Sequence, residues 1–358
     1  MRVGFIINGR IPEWKGLLRG MTPIHWLRGW DDSASPMSFM RFRWLADELR
    51  PKKEMIYELY RPRRMYDAVV FVKSMGDPCL ELAEKLRAQG TRIIFDANVD
   101  YYTKNNEASR RLGFAITDQQ RKDAIAITQM ADRVMASSRH LAEVCSRYAR
   151  QPAIWIPDHV NFRMVPPLRE VEPRKPLWLW WSGMPEKAVD ILAIESVLRT
   201  MGRRVELHFV TRGIPRLRDA TYQARFESLL DAVPHVFHEF HSIPQLHSLY
   251  QPPALIISPR FLDIPYNLGH SEWKITLGMA CGLPALCSPL PSYCDVAQRA
   301  KPGAIRIAES ASDWEQALED AISRRWNVSE SAPAAREVVH SHYSTHVVAP
   351  LHAKVVSE

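Results

Sequence analysis

Short apolar runs alternate with longer amphipathic stretches from the first residues of this chain almost to its last, and few folds accommodate that rhythm. Residues 2–8 (RVGFIIN), 66–73 (YDAVVFVK), 91–96 (TRIIFD), 133–137 (RVMAS) and 153–156 (AIWI) read as core strands, mostly continuous rather than alternating in apolar character. That is the pattern of strands covered on both faces. Helices are predicted between them over residues 39–49, 79–89, 118–130 and 138–149, with Ser138 as an N-cap and Gly90 where a C-cap glycine belongs. Strand and helix in this order imply a parallel sheet with helices on both sides, an α/β architecture.

The same rhythm begins again downstream. Residues 161–176 (NFRMVPPLREVEPRKP) carry four prolines, mixed charge and no period, the composition of an interdomain linker. Strands are then predicted over residues 177–182 (LWLWWS), 205–210 (VELHFV), 236–240, 254–258 (ALIIS) and 284–288, and helices over 188–201, 244–250, 272–280 and 313–324. A chain of 358 residues is long enough for two domains at roughly 150 residues each. The expected architecture is therefore two Rossmann-like doubly wound domains, residues 1–165 and 166–332, followed by helices over 333–358. Ligands of such sheets bind outside the strand carboxyl ends, so the two domains are expected to face each other across a cleft lined by those loops.

Composition removes several classes of protein. With 46% apolar and 24% charged residues the chain can bury a sizeable core, which argues against disorder. No run approaches the roughly 18–20 uncharged apolar residues of a spanning helix, and the first strand is too short for the apolar core of a signal peptide. A cytoplasmic location is expected. Cys79, Cys145, Cys281, Cys287 and Cys294 form no C-x-x-C pair and are odd in number, which speaks for buried or half-buried thiols rather than a disulfide framework or a zinc cage. The net charge of +7 is uneven: residues 1–165 carry 27 Lys+Arg against 19 Asp+Glu, the remainder 20 against 21. A basic half suits an anionic substrate, an anionic membrane surface or nucleic acid, and equally a set of solvated arginines.

No G-x-G-x-x-G follows the first strand and no G-x-x-x-x-G-K-[ST] occurs, which removes the usual dinucleotide and P-loop phosphate sites. Residues 266–284 (YNLGHSEWKITLGMACGLP) offer a different one. Ser271 stands where an N-cap belongs, after Gly269 and His270, so Lys274 falls in the first helical turn, where a cation opposes the helix dipole unless an anion is bound. A capped surface helix whose lysine points to water fits the same residues. The loop over residues 9–36 is far longer than the usual connection of about 2–6 residues and contains His25, Trp14, Trp26 and Trp30. Its tryptophans could stack on a ligand's flat face or dock on a membrane. Asp96 and Asp100 end the third strand at a spacing that mimics a metal site, but local hydrogen bonding or strand capping is the preferred reading, and no metal ligands are assigned.

Residues 274–289 (KITLGMACGLPALCSP) resemble the K-x-x-E-A-x-A-C-G-x-P-V-x-x-S signature in the donor domain of GT-B glycosyltransferases of the retaining, sucrose-synthase-like group, family 4-like or glycosyl transferases group 1. Residues 181–192 (WSGMPEKAVDIL) resemble the strand, Gly loop and Lys helix that open that domain, with Gly183 and Lys187 on the motif positions, and residues 254–260 (ALIISPR) its strand before the donor loop. In the first half, residues 35–49 resemble the family's S-x-R-x-R-x-x-x-L-A-x-x-L segment, 95–101 its strand-end aspartates and 131–141 its aD-x-v-x-a-S strand. Residues 334–355 resemble its closing helices. The resemblance covers nearly the whole chain, in the family's order.

It implies that residues 1–165 bind an acceptor, 166–332 bind a nucleotide sugar, and 333–358 cross back to the first domain. The implied reaction moves a sugar from a nucleotide-diphosphate donor to a hydroxyl of a glycan, glycolipid or polymer, with retention. Charge grows on the leaving diphosphate, so positioned cations carry the chemistry. Lys187 and Lys274 are the implied catalytic residues; Gly183, Arg212, Ser258, Arg260, His270, Ser271 and Glu272 would bind the donor; His25, Arg41, Arg43, Asp96 and Asp100 would face the acceptor. No D-x-D element is evident in the donor half, so a metal-independent reaction with no cofactor beyond the nucleotide-sugar co-substrate is expected.

The chain departs from the family pattern at one functional place. With Cys281-Gly282 aligned, Gly269 and Leu277 stand where the family has the glutamates of E-x7-E, which keeps a non-catalytic GT-B scaffold as the competing reading; Glu272 is placed to replace part of the missing role. Thr211-Arg212-Gly213 stands where Gly-x-Gly is usual. A GT-B-like epimerase needs a carboxylate and histidine set that nothing singles out, and nucleic-acid binding is supported only by the basic half. Since the excess charge lies in the acceptor half, the expected acceptor is anionic or sits on an anionic surface, such as a lipid-linked or polymer-bound glycan, with peripheral contact at the inner face of a membrane. Arg41, Arg43, Arg61, Arg63 and Arg64 are the solvent-facing groups expected to steer it.

Overall fold

The computed structural model describes residues 1–11, 35–52, 55–168 and 174–358. Its strands form two six-stranded sheets. The first contains β1 (Arg2–Ile7), β2 (Ile56–Leu59), β3 (Ala68–Val72), β4 (Arg92–Ala97), β5 (Arg133–Ala136) and β6 (Ile154–Trp155), in the order 2-1-3-4-5-6. The second contains β7 (Leu177–Ser182), β8 (Val205–Thr211), β9 (His235–Glu239), β10 (Leu255–Ser258), β11 (Ala285–Cys287) and β12 (Ile305–Ile307), in the order 12-11-10-7-8-9. Every pairing is parallel. These are the two doubly wound, Rossmann-like sheets that the alternation of apolar runs demands.

The chain divides into two compact units. One comprises Met1–Lys104, Ile116–His159 and Thr345–Glu358, the other Asn105–Ala115 and Val160–Ser344. Two short stretches thus leave the linear order expected from the sequence: Asn105–Ala115 joins the second unit, and of the closing helices only Thr345–Ser357 belongs to the first, while Val328–Tyr343 stays with the second. Asn106 explains the first exchange, since its side-chain amide donates to the Asp263 carbonyl while its oxygen caps the helix Glu107–Arg111 through the Ser109 amide. Among the described residues no helix is long and apolar enough to cross a membrane.

In the first unit Ala68 to Val72 are fully buried, and their side chains alternate between two cores. Val69 and Phe71 pack with the helices Asp77–Ala88, Asp118–Met130 and Arg139–Ser146; Ala68, Val70 and Val72 pack with Val348, Val355 and Val356 of the last helix. Two buried histidines fasten that helix: His352 Nδ1 lies 2.9 Å from the Tyr57 hydroxyl, and His159 Nδ1 lies 2.9 Å from Thr345 Oγ1. In the second unit Gly278 sits where the helix Trp273–Ala280 meets β10, and a Cβ there would lie 2.9 Å from the Ile256 Cβ, so only glycine permits this approach.

The structure corrects several predicted elements. Strands β2 and β12 and the helices Ala220–Ala232 and Pro291–Ala297 were not expected; β2 and β12 are edge strands whose residues stay partly exposed, which blurs the apolar signal. The helix predicted over 188–201 is a 3-10 helix over Pro185–Ile194 followed by an α-helix over Glu195–Met201. The segment predicted helical over 39–49 contains a π-helical stretch, Phe39–Arg43, before Trp44–Leu49. Four of the cysteines are buried and Cys294 is half-buried, none in a disulfide.

Burial, with Arg41 and His159 adding to it, pushes the His352 pKa down to about 3. The unfolded chain therefore binds a proton there, below its ordinary 6.5, that the folded chain refuses, and stability falls as pH drops through that window. His352→Gln cannot titrate. Its stability deficit against wild type at pH 7 is expected to narrow by about 1.4 kcal/mol per pH unit between about pH 6 and 4, measured by urea denaturation. A deficit that stays constant would show that His352 does not titrate on unfolding.

Candidate active site

In an open parallel sheet the loops beyond the strand carboxyl ends part where the strand order reverses. In the second sheet that point lies between β7 and β10. Gly183 directly follows β7, and the 3-10 helix Pro185–Ile194 then carries Lys187 and Asp190. At three residues per turn these two side chains leave the same face. Ser258 closes β10 and is followed by Pro259 and Arg260.

Arg260 is buried, and its Nη1 meets Asp190 Oδ2 at 2.5 Å while its backbone N–H donates to Ser288 Oγ at 2.9 Å. Asn267 donates to Asp190 Oδ1 at 3.4 Å and to the Phe261 carbonyl at 3.1 Å. Ser258 Oγ and the Tyr293 hydroxyl share a hydrogen bond of 2.8 Å. Nε and Nη2 of Arg260 are buried without a hydrogen-bond partner.

The Lys187 ammonium lies 3.9 Å from the centroid of the Phe114 ring and 4.3 Å from that of Tyr266, two cation–π contacts that hold it in an apolar setting. Burial brings its pKa down to about 7, with Asp190 opposing and Arg260 adding to the shift. Lys274 Nζ is buried with no hydrogen-bond partner, 5.3 Å from the Trp181 ring centroid. Burial first, and Arg260 second, hold Lys274 well below the ordinary lysine pKa. A Cβ on Gly183 would lie 3.0 Å from that ammonium and 2.6 Å from the Trp181 ring, so the glycine makes room for both.

Three cations therefore stand close together against the fully buried Asp190 and the half-buried Glu186. Buried ammonium and guanidinium groups with unsatisfied donors are costly unless an acceptor arrives. A bound anion would supply those acceptors and return both lysines to the charged form.

The helix bearing Lys274 starts one residue later than predicted. Glu272, not Ser271, is its N-cap; Glu272 already has right-handed helical dihedrals, its carbonyl accepts from the Ile275 and Thr276 amides, and its own side chain makes no capping hydrogen bond. The cause lies upstream, where the short helix Pro265–Leu268 and the turn at Gly269 to His270 consume the residues before it. Glu272 is buried and close enough to Tyr343 to help raise its pKa, after burial itself. His270 meets the Tyr266 ring edge-on at 4.9 Å, and Arg212 is exposed. The structure thus gathers Gly183, Lys187, Ser258, Arg260 and Lys274, joins His270 to them through Tyr266, and shows no contact between Arg212 and the cluster. Asp190, Asn267, Tyr266 and Phe114 were missed by sequence reasoning. Asp190 left a signal, a lone acid inside the apolar run AVDILAI.

In the first unit the expected acceptor residues divide. Arg41 is fully buried, not solvent-facing: its Nε lies 3.0 Å from Asp158 Oδ1 and 3.6 Å from Asp96 Oδ2, and its Nη1 donates to the Ile156 carbonyl at 2.9 Å. The π-helical stretch turns it inward. Arg43 lies over the Phe39 ring at 5.1 Å. Asp100 Oδ1 accepts from the Tyr102 and Thr103 amides at 2.9 and 3.0 Å, the local capping that its position suggested. Arg61, Arg63 and Arg64 are exposed, with Arg64 paired to Glu58 at 2.6 Å. His25, Trp14, Trp26 and Trp30 lie outside the described residues. Among the described residues no group of three or more His, Cys, Asp or Glu side chains is arranged to hold a metal ion.

Burial raises the Asp96 pKa to about 6, Arg41 pulling against it and Asp158 pushing with it. Arg41→Ala strands two carboxylates in the core and is expected to cost about 3–5 kcal/mol at neutral pH. A raised folded pKa means stability that declines as pH rises, so the loss should be smaller at pH 5, where Asp96 takes up a proton, than at pH 8. Denaturation of both proteins at the two pH values checks this; an equal loss at both would refute it.

No protein-family model matches the chain, and no curated protein matches it in sequence. Its structure does match solved ones. WaaG, a glycosyltransferase involved in lipopolysaccharide biosynthesis, superposes with a TM-score of 0.62 at 10% identity, covering 100% of both chains. Anabaena Alr3699/HepE, solved with UDP and glucose, gives 0.63 at 10% identity over 99% of each chain. Sucrose-phosphate synthase from Thermosynechococcus elongatus gives 0.58 at 16% identity over 81% of this chain and 73% of that one. At these identities the likeness establishes the fold, which is GT-B, with two Rossmann-like α/β sheets.

Proposed function

We propose that this protein is a glycosyltransferase whose second unit binds a nucleoside diphosphate sugar, the diphosphate lying against Lys187, Lys274 and Arg260. The observation that carries the reading is the Lys274 ammonium, buried beside Gly183 with no acceptor and close to two other cations. The bond between the anomeric carbon and the β-phosphate oxygen breaks, the sugar gains oxocarbenium character, and the leaving diphosphate gains charge that the two lysines neutralise. UDP and UDP-glucose are the first donors to test, because structures of the same fold carry them. Retention and independence from metal are part of the proposal, supported by the resemblance of residues 274–289 to the retaining group.

Replacing Lys187 or Lys274 by Ala is expected to lower turnover by about 10- to 1,000-fold with each donor that binds. Unchanged activity in both variants would overturn the assignment. Charging Lys187 on binding also makes a thermodynamic mark. Its pKa near 7 in the unliganded protein should rise on the diphosphate, so binding at pH 8 takes up a proton and affinity falls as pH rises above about 7. Calorimetry in two buffers of different ionisation heat reads the uptake directly, and Lys187→Ala should lose its share of that uptake, leaving the share of Lys274.

A non-catalytic scaffold remains the second reading, favoured by the fully buried Leu277 at the place of a glutamate in the family pattern that residues 274–289 resemble. Release of nucleoside diphosphate that depends on acceptor separates the two. The acceptor, on this proposal, is an anionic or membrane-borne glycan steered by exposed Arg61 and Arg63. Its apparent KM should rise several-fold from low salt to about 0.15 M, where the screening length is about 8 Å, while donor KM changes less. A flat acceptor KM would remove this part of the proposal.

A further inference from the structure

The second sheet has another cavity, at the opposite ends of the same strands. It measures about 290 Å³ and is lined by residues that precede strands: Leu177 opens β7, Arg203 and Arg204 come before β8, and Pro253 before β10. The lysines and Arg260 described above follow the carboxyl ends of β7 and β10. Six residues of β7 separate the two places by roughly 20 Å.

Among the described residues five cations line this cavity, Arg174, Lys175, Arg203, Arg204 and Arg324, and no carboxylate does. Arg204 is matched by Glu319 at 2.6 Å, and Arg174 lies on the Trp178 ring at 3.8 Å. Among the described ion pairs, Lys175, Arg203 and Arg324 have none. The first turn of the helix Val328–Tyr343 completes the wall. In a parallel α/β sheet the helices run against the strands, so helix N-termini gather at the carboxyl edge. This helix is an exception because it follows another helix, Ala311–Ile322, which has already brought the chain to the amino edge.

Two further observations set the place apart from a charged surface. Ser329, in that first turn, has its hydroxyl oxygen buried with no hydrogen-bond partner. Arg324 holds a left-handed backbone, φ +65°, just past the end of Ala311–Ile322, where glycine is the usual residue. One wall is apolar: Pro176 and Leu177 line it beside the largely buried Trp326, whose indole N–H is already donated to the Gly303 carbonyl at 2.9 Å and whose ring carries Arg306 at 4.4 Å. An inorganic ion would leave that wall bare. The volume is at the small end of ligand sites, about 300–1,000 Å³.

We propose that this cavity binds a small organic phosphate, its phosphate on Arg203, Arg324 and Ser329 and its organic part against Trp326 and Leu177. The site is separate from the donor site and does not depend on the function proposed for it.

The test uses calorimetric titration of the full chain at about 0.15 M salt with glucose 6-phosphate and with AMP, alongside inorganic phosphate and glucose. At least one of the two esters should bind with a Kd of about 1 mM or tighter, and both phosphate and glucose should bind more weakly. The paired change Arg203→Glu and Arg324→Glu should weaken the ester by about tenfold or more, Ser329→Ala should weaken it less, and Lys274→Ala should leave it unchanged. Circular dichroism and melting of each variant confirm folding; should the double variant not fold, Arg203→Gln with Ser329→Ala replaces it under the same expectation. The proposal fails if neither ester binds, if inorganic phosphate binds as well as the ester, if binding survives the charge changes, or if Lys274→Ala abolishes it. The last outcome would place the ester in the donor site.

Discussion

The second unit is organised around a shortage of negative charge. Lys187, Lys274 and Arg260 converge where β7 and β10 part, and among the described residues the fully buried carboxylate coupled to them is Asp190, already engaged by Arg260. Much of the local structure exists to tolerate that shortage. Phe114 and Tyr266 give the Lys187 ammonium ring faces instead of an acceptor. Gly183 gives up a side chain so that the Lys274 ammonium fits beside Trp181. The 3-10 winding of Pro185–Ile194 sets Asp190 under Lys187, where α-helical winding would rotate the two about 60° apart.

Charge burial in the first unit shows a buried cation whose counter-charges are in place. Arg41 is as deeply buried as anything in the second unit, yet it meets Asp96, Asp158 and the Ile156 carbonyl, and its charge is matched several times over. With two carboxylates on one guanidinium it has no cation to spare for an anionic ligand, and its value is to fix the π-helical stretch against the ends of β4 and β6. The cluster around Lys274 is the opposite case, with donors left over and acceptors missing. Burial of charged residues is common to both; the balance of donors and acceptors is what distinguishes a site from scaffolding.

Much of the fold was legible in the sequence because both faces of a parallel sheet are buried, which makes runs such as YDAVVFVK and ALIIS unmistakable. The edge strands β2 and β12 were not, since half-exposed residues carry no continuous apolar run. Lys187, Lys274 and Arg260 were legible from motif position. Their environment was not: Phe114 reaches the site from a stretch some seventy residues upstream, and nothing local in the sequence marks it. Arg41 was misread for the same reason. Its neighbours suggest a basic helix face, and only the partners Asp96 and Asp158, distant in sequence, reveal that it points inward.

Sheet polarity accounts for one of the two charged places in the second unit and for only part of the other. Helices antiparallel to the strands deliver their positive ends to the carboxyl edge, where the dipoles and the lysines add, and this edge is electropositive in any doubly wound domain. The amino edge receives the negative helix ends and should favour cations without any ligand, which is a sufficient reason for an arginine or two such as Arg204 beside Glu319. It is not a reason for the rest. The helix Val328–Tyr343 starts at that edge, against the prevailing direction, and its own positive end makes Arg203 and Arg324 less comfortable rather than more. Cations held together at a positive helix end, over an apolar wall and a buried hydroxyl without a partner, repeat at the amino edge the imbalance seen around Lys274.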